Sequence, residues 1–336
     1  MVKWCVIGAG GIADRRAIPA LLKDKNNELV AIMERVPELA EELGKKYGVK
    51  SFTDEREMLS SVECNAVYIG TPLFRHKSQM EICLEFDKHV FVEKPFTMTA
   101  EEGEEILRKF REKGKMLTVG YMMKYHNLHV KAKELIKSGE IGKPTLIRAQ
   151  FSCWYPETKG AWRQVRALGG GGCFMDLGVH CIELIEYLLD EEIVEVKSFL
   201  STSTFSYDVE DTANVLFRTA SGVTGSIATN FNIPDAASTS KLEVYGSGGY
   251  VIANGTLSQE ESGELLHLYA PQGAYEAAQI RVSSEPVRYL PEGQDVYLRQ
   301  IRDFCRVVES GEPEYFYAER ALQVQSVVDR VYSQNK

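Results

Sequence analysis

A carboxylate and an imidazole stand four residues apart in the stretch Gly170-Gly171-Gly172-Cys173-Phe174-Met175-Asp176-Leu177-Gly178-Val179-His180. The run reads as a glycine turn opening into a helix that continues to Leu189, which puts Asp176 and His180 on one face at neighbouring heights. Asp176 falls in the first turn, where the helix dipole favours an anion, and the glycines let a ligand approach the backbone closely. A carboxylate beside an imidazole can hold one tautomer of the ring and stabilise its protonated form, a pairing suited to general acid-base chemistry near neutrality. A third candidate is Lys94, between Glu93 and Pro95. The proline ring disfavours helix at the preceding residue, so Lys94 is held extended, with an ammonium able to polarise an alcohol or carbonyl oxygen.

These groups need a scaffold, and the first third of the chain supplies the signals of one. Trp4-Cys5-Val6-Ile7 runs into Gly8-Ala9-Gly10-Gly11-Ile12-Ala13, a G-x-G-x-x-A dinucleotide fingerprint lying between a strand and a helical stretch at 14–22. Its glycines permit a tight turn, and the following helix offers amide groups to a pyrophosphate. A second strand, 29–33, ends in Glu34, where a ribose hydroxyl would be bound. Glu34 repels a 2′-phosphate and so favours NAD. The neighbouring Arg35 would either attract that phosphate or stack on adenine, which keeps NADP open.

Alternation continues with a helix at 37–47, a strand at 66–69 ending in Gly70-Thr71-Pro72, a helix around 80–84 and a strand at 89–92 ending in Glu93-Lys94-Pro95. A helix at 99–112 and a strand at 116–120 complete the series. Such a pattern predicts a doubly wound parallel sheet, in which ligands bind outside the carboxyl ends of the strands. The Gly8 turn, Glu34, Thr71, Pro72, Glu93 and Lys94 all fall at those ends. His76, just beyond, either touches the cofactor or caps its own helix.

After Gly120 an aromatic and basic connector, Tyr121-Met122-Met123-Lys124-Tyr125-His126, precedes a helix at 128–138. Strand patterns then dominate, at 145–153, 193–205, 212–219, 224–233, 241–246 and 249–253, with a turn signal at Ser221-Gly222. These predict an open, largely antiparallel sheet in an α+β domain. Residues 258–291 fit no clear pattern, and helices at 294–309 and 318–333 close the chain. The expected domains are 1–122, a dinucleotide-binding Rossmann unit, and 123–336, a substrate-binding and oligomerisation unit whose last helix is free to pack back on the first.

Bulk properties agree with an intracellular, soluble protein. The 336 residues are 44% hydrophobic and 26% charged, with a net charge of −9 and a mean hydropathy of −0.22, the profile of a soluble, two-domain protein rather than a nucleic-acid or membrane binder. The N-terminus enters a strand pattern at once, with no signal-peptide pattern ahead of it. Seven scattered cysteines form neither CxxC pairs nor finger spacing, as expected of reduced cytoplasmic thiols. His126 and His129 lack the companions of a zinc site, and no metal is expected.

The ordered combination of Gly8-Ala9-Gly10-Gly11-Ile12, Thr71-Pro72 with His76, Glu93-Lys94-Pro95, Gly120-Tyr121-Met122-Met123-Lys124-Tyr125 and the Gly170 to His180 segment resembles the Gfo/Idh/MocA family of pyridine-nucleotide-dependent oxidoreductases over nearly the whole chain. The resemblance implies catalysis by Lys94, Asp176 and His180 on a hydroxyl or carbonyl of a sugar, anhydrosugar, inositol or related cyclic alcohol. His180, or Lys94, would take the hydroxyl proton while Asp176 orients the imidazole. It further implies a cofactor held by Gly8, Gly10, Gly11, Ile12, Glu34, Arg35, Thr71, Pro72, His76, Glu93 and Lys94. Substrate contacts would come from Lys94, Tyr121, Lys124, Trp162, Arg163, Asp176 and His180, and the C-terminal sheet would form a homodimer or homotetramer. Lys124 replaces the arginine usual in the connector, retaining charge without the planar fork. Two other readings share the fold: an NAD-using glycosidase that oxidises its sugar transiently, and a nucleotide sensor without chemistry.

Overall fold

Short runs dictate the first sheet. β1 (Val2–Ile7), β2 (Asn27–Met33), β3 (Lys50–Phe52), β4 (Ala66–Ile69), β5 (His89–Val92) and β6 (Leu117–Val119) pair in the order β3-β2-β1-β4-β5-β6, every pair parallel. β4 is buried at all four positions and β5 at three of four, the near-continuous burial of strands covered on both faces. Helices α1 (Ile18–Leu22), α2 (Pro37–Tyr47), α3 (Glu55–Ser61), α4 (His76–Glu85) and α5 (Ala100–Lys113) alternate with the strands. Local chemistry marks their ends: Asp54 accepts the Arg56 and Glu57 amides at 2.9 Å to start α3, and Thr99 caps α5. This is the expected doubly wound sheet. The sequence pattern did not reveal β3 or α3, the one too short and exposed for alternation and the other only seven residues long.

The second sheet has eight strands: β7 (Pro144–Ser152), β8 (Ile193–Ser201), β9 (Thr212–Thr219), β10 (Thr224–Asn230), β11 (Lys241–Gly246), β12 (Gly249–Asn254), β13 (Glu264–Tyr269) and β14 (Val287–Tyr289), in the order β14-β13-β12-β11-β7-β10-β9-β8. All pairs are antiparallel except β10 with β7, which run parallel. β9 buries alternate residues, so one face of the sheet is core and the other is outward. β13 and β14 lie in the stretch the sequence left unplaced. β8 ends at Ser201 rather than 205, because the Asp211 carboxylate accepts the amides of Ser203, Thr204 and Phe205 and turns the chain there. The remaining helices are α6 (Asn127–Lys137), α7 (Arg166–Gly169), α8 (Val179–Leu189), α9 (Val296–Ser310) and α10 (Phe316–Ser333).

The structure, a computed structural model, describes residues 1–271, 273–275, 277 and 284–335. The chain divides into two units, Met1–Tyr121 with Val165–Gly170 and Tyr297–Ser326, and Met122–Gln164 with Gly171–Val296 and Val327–Lys336. In the first, Phe304 of α9 packs its ring on Trp4 and Phe91 with centroids 5.0 and 5.7 Å away, so the parallel sheet draws part of its cover from more than 200 residues downstream. In the second, α6 and α8 pack on each other and on sheet strands. No helix among the described residues is long and apolar enough to cross a membrane, and no group of three or more His, Cys, Asp or Glu among them could hold a metal ion.

His129, fully buried on α6, donates from Nδ1 to the Met123 carbonyl at 2.8 Å, which leaves Nε2 to accept from Thr256 Oγ1 at 2.8 Å. Burial, with the neighbouring His126 adding to it, lowers its pKa from 6.5 to about 3. The unfolded chain therefore takes up a proton near 6.5 that the folded ring refuses until about 3, and acid destabilises the fold throughout that window. We expect His129→Gln to flatten the pH dependence of the unfolding free energy there, by about 1.4 kcal/mol per pH unit. Denaturant titrations at several pH values check this; equal slopes for both proteins would remove His129 from the account.

Candidate active site

In the first unit the parallel ladder continues one residue past its strands. The amides of Gly8, Gly70, Glu93 and Gly120 donate to the carbonyls of Met33, Ile7, Ile69 and Val92, at 2.8 to 2.9 Å. The carboxyl ends of β1, β4, β5 and β6 thus finish in one row, from which Gly8, Gly70 and Glu93 leave the sheet, with β2 ending level with them at Met33. Gly8 has a φ of +75°, and a Cβ on it would stand 2.6 Å from Thr71 Cγ2, so the first glycine lets two crossovers touch. Gly11 has a φ of +57° and open space where its Cβ would be. The following helix is helical from Gly11 and carries a π turn over Ala13–Ala17 that no side chain caps, and its N-terminal end can serve an anion.

Glu34 leans across this turn. Its Oε2 accepts the Gly10 amide at 3.2 Å and its Oε1 accepts the Arg35 amide at 2.8 Å, with Arg35 itself exposed. A carboxylate fixed beside the glycines at the end of β2 suits the adenosine ribose of a dinucleotide. The open side of Gly11, the uncapped helix and the placed Glu34 together fit a pyridine nucleotide.

Along the same row, His76 is buried between two segments. Its Nδ1 lies 2.9 Å from the Pro95 carbonyl and its Nε2 lies 3.0 Å from the Thr71 carbonyl. The sequence allowed it a cofactor contact or a helix cap; its ring clasps the Thr71-Pro72 turn to the segment after Lys94. Thr71 Oγ1 donates to Gln79 Oε1 at 2.5 Å. The Tyr68 hydroxyl donates to Glu93 Oε1 at 2.5 Å, with the tyrosine pKa held well above its ordinary value by burial and then by the Glu93 charge. Glu93 Oε2 accepts the Lys94 amide at 3.3 Å, so the strand end is anchored from both sides while Lys94 stays half-buried.

In the second unit the glycine turn has a different cause from the one its sequence suggests. A Cβ on Gly171 would stand 1.9 Å from Tyr332 Oη, and one on Gly172 would stand 2.0 Å from the Glu210 carbonyl oxygen. The protein itself, rather than a ligand, fills the space those glycines leave. The helix then opens with a π turn over Phe174–Gly178 before α8, which rotates Asp176 away from a strict α-helical stack over His180. Asp176 Oδ1 accepts from Arg163 Nε at 3.1 Å, and the Arg163 guanidinium lies 4.2 Å from the centre of the Trp162 ring. These three sequence candidates are thereby gathered in one cluster. His180 is buried on α8 with its ring edge-on to Phe151.

Two connector residues sit deeper than their proposed substrate contacts suggest. Tyr121 is buried, and Lys124 is 7% exposed with its ammonium 3.1 Å from Glu183 Oε1, itself 5% exposed on α8. A charge paired in that setting braces α8 one turn beyond His180. Sequence reasoning missed Glu183, Glu210 and Tyr332. Glu183 carried a usable signal, since it falls at i+7 from Asp176 on the same helical face; the other two carried none.

Comparison with known proteins places the chain. The oxidoreductase family described by its NAD-binding Rossmann fold matches residues 2–121, and the GFO/IDH/MocA C-terminal domain matches residues 129–252. The chain is 28% identical over 327 residues to the dTDP-3,4-didehydro-2,6-dideoxy-α-D-glucose 3-reductase of Actinomadura kijaniata, covering 97% of this chain and 93% of that one. It is 26% identical over 316 residues to the myo-inositol 2-dehydrogenase of Thermotoga maritima, covering 92% and 88%. A solved structure of the A. kijaniata 3-ketoreductase with NADP and TDP-benzene matches with a TM-score of 0.85 at 26% identity, over 99% of this chain and 97% of that one. With its fingerprint turn, its placed Glu34 and both halves matched, the chain belongs to the Gfo/Idh/MocA family and is an NAD(P)-dependent dehydrogenase or reductase acting on CH–OH groups.

Proposed function

We propose that this enzyme interconverts a hydroxyl and a carbonyl on a sugar, anhydrosugar, inositol or related cyclic alcohol, with Lys94, Asp176 and His180 as its catalytic set. The observation that carries the reading is the Asp176 carboxylate, fixed by Arg163 on the turn that leads into the helix of His180. A bound NAD(P) supplies or accepts the hydride. His180 takes the hydroxyl proton in oxidation and returns it in reduction, at a ring nitrogen. Lys94 donates to the reacting oxygen and stabilises the negative charge it gains as the proton leaves. Asp176 orients the imidazole, while Arg163 directs that carboxylate.

Trp162 offers a ring face to the C–H surface of a sugar, and the guanidinium stacked on it provides donors for hydroxyls. Tyr121 and Lys124 act from behind, the first as packing and the second by holding α8 through Glu183. Glu34 favours NAD, because a carboxylate at the ribose position repels a 2′-phosphate; the other cofactor contacts are Gly8, Gly10, Gly11, Ile12, Arg35, Thr71, Pro72 and His76. On this reading residues 1–122 are the nucleotide-binding domain and 123–336 the substrate-binding and assembly domain of a cytoplasmic homo-oligomer. The outward face of the eight-stranded sheet supports assembly there: it holds a groove of about 450 Å³ lined by Leu146, Arg148, Leu216 and Arg218, and Phe199 is 82% exposed beside it.

Three outcomes follow for a panel of cyclic polyols and keto-sugars followed at the nicotinamide absorbance band. The wild-type protein turns over at least one panel member. His180→Ala lowers kcat by about a hundred-fold or more with cofactor affinity nearly intact, and Lys94→Ala lowers kcat/KM by a comparable factor. Comparable rates for His180→Ala and wild type would overturn the acid-base assignment. Separately, Leu216→Glu should shift the protein toward monomer in light scattering after size-exclusion chromatography; an unchanged mass would move the interface elsewhere.

A further inference from the structure

A helix begins with four amides that have no partner inside it, and a first-turn aspartate ordinarily folds back to accept one of them. At the glycine turn all four are already taken. Glu210 Oε1 accepts from Gly172 at 2.9 Å and from Phe174 at 3.1 Å. The Glu210 carbonyl accepts from Cys173 at 3.0 Å. Tyr332 Oη accepts from Met175 at 3.2 Å and donates to Glu210 Oε1 at 2.7 Å. The next amide, that of Asp176, donates to the Gly172 carbonyl at 3.0 Å and enters the helix.

The cap therefore comes from outside the helix, from a loop residue before β9 and from the last turns of α10. Both residues are built in: Glu210 is 3% exposed, and the glycines at 171 and 172 are required by Tyr332 and Glu210 respectively. Among the described residues the buried Glu210 Oε2 has no hydrogen-bond partner, an arrangement that costs stability. What the arrangement gains is at Asp176, whose carboxylate accepts from Arg163 while the amides of the turn are held by Glu210 and Tyr332.

We propose that Glu210 and Tyr332 are positioning residues for the reaction: by capping residues 172–175 from outside, they release the Asp176 carboxylate to Arg163 and the imidazole chemistry. The inference rests on the catalytic role given to Asp176 above. It depends on where an acceptor oxygen stands, not on the charge of the loop, and two shape-related variants separate these. Glu210→Gln keeps an acceptor at the same reach and loses the charge. Glu210→Asp keeps the charge and withdraws the acceptor by about one methylene.

The test is steady-state kinetics with thermal melting and backbone hydrogen exchange of the 170–176 segment, on wild type, Glu210→Gln, Glu210→Asp, Tyr332→Phe and Asp176→Asn. The expected result is a kcat loss of about ten-fold or more for Glu210→Asp and Tyr332→Phe, with cofactor KM unchanged and faster exchange at 172–175. Glu210→Gln should stay within about three-fold of wild type, the rescue that a purely charge-based role would not give. The proposal is overturned if Glu210→Asp exchanges faster yet keeps wild-type kcat, or if Glu210→Gln loses as much kcat as Glu210→Asp in step with melting temperature. Asp176→Asn separates the two levels: wild-type kcat in that variant sinks the catalytic reading itself, whereas its collapse beside an unaffected Glu210→Asp sinks only the positioning role.

Discussion

The constraint on which the nucleotide half depends is the parallel ladder and its one-residue overrun. Parallel pairing fixes which residues of neighbouring strands lie level, and here Ile7, Met33, Ile69, Val92 and Val119 are level or nearly so. The amides of the next residues bond back across the strands, so Gly8, Gly70, Glu93 and Gly120 emerge side by side. No individual residue has to be steered to that edge; the register delivers them all. What remains for side chains is fine adjustment, in which Tyr68 and the Lys94 amide hold Glu93 and His76 clasps two crossovers together.

In the other half an analogous economy operates through unpaired amides rather than strands. Four consecutive N–H groups at residues 172–175 must be satisfied, and two distant residues satisfy them. Tyr332 carries a pKa well above the ordinary value, and Glu210 one shifted upward, each chiefly because burial penalises its charge. Buried groups of this kind hold a backbone in one place at some expense of stability, a pattern common where a reacting group must be held within a fraction of an ångström.

How far the sequence discloses this depends on how local each signal is. The fingerprint turn, Glu34, the edge residues and most strands of both sheets are legible because each rests on a pattern inside a dozen residues; β3, β13 and β14 are not. The glycines at 171 and 172 are legible as a turn, but their reason is not: the atoms that exclude a side chain belong to residues 38 and 157 positions removed from the amides they bind. The parallel pairing of β10 with β7 is hidden for the same reason, since nothing in either strand names a partner 78 residues away. Lys124 shows a third limit. Its charge and position in a connector suggest a ligand contact, and only the fold reveals Glu183 waiting beside it.

The claim most open to direct test is that the edge of the parallel sheet binds a pyridine nucleotide with Glu34 at the ribose. Paired equilibrium titrations of wild type and Glu34→Ala with NADH and NADPH measure it. The account predicts that wild type binds NADH the more tightly and that Glu34→Ala gains affinity for NADPH by roughly ten-fold, about 1.4 kcal/mol. Binding of neither nucleotide, or a preference that Glu34→Ala leaves unmoved, would contradict it.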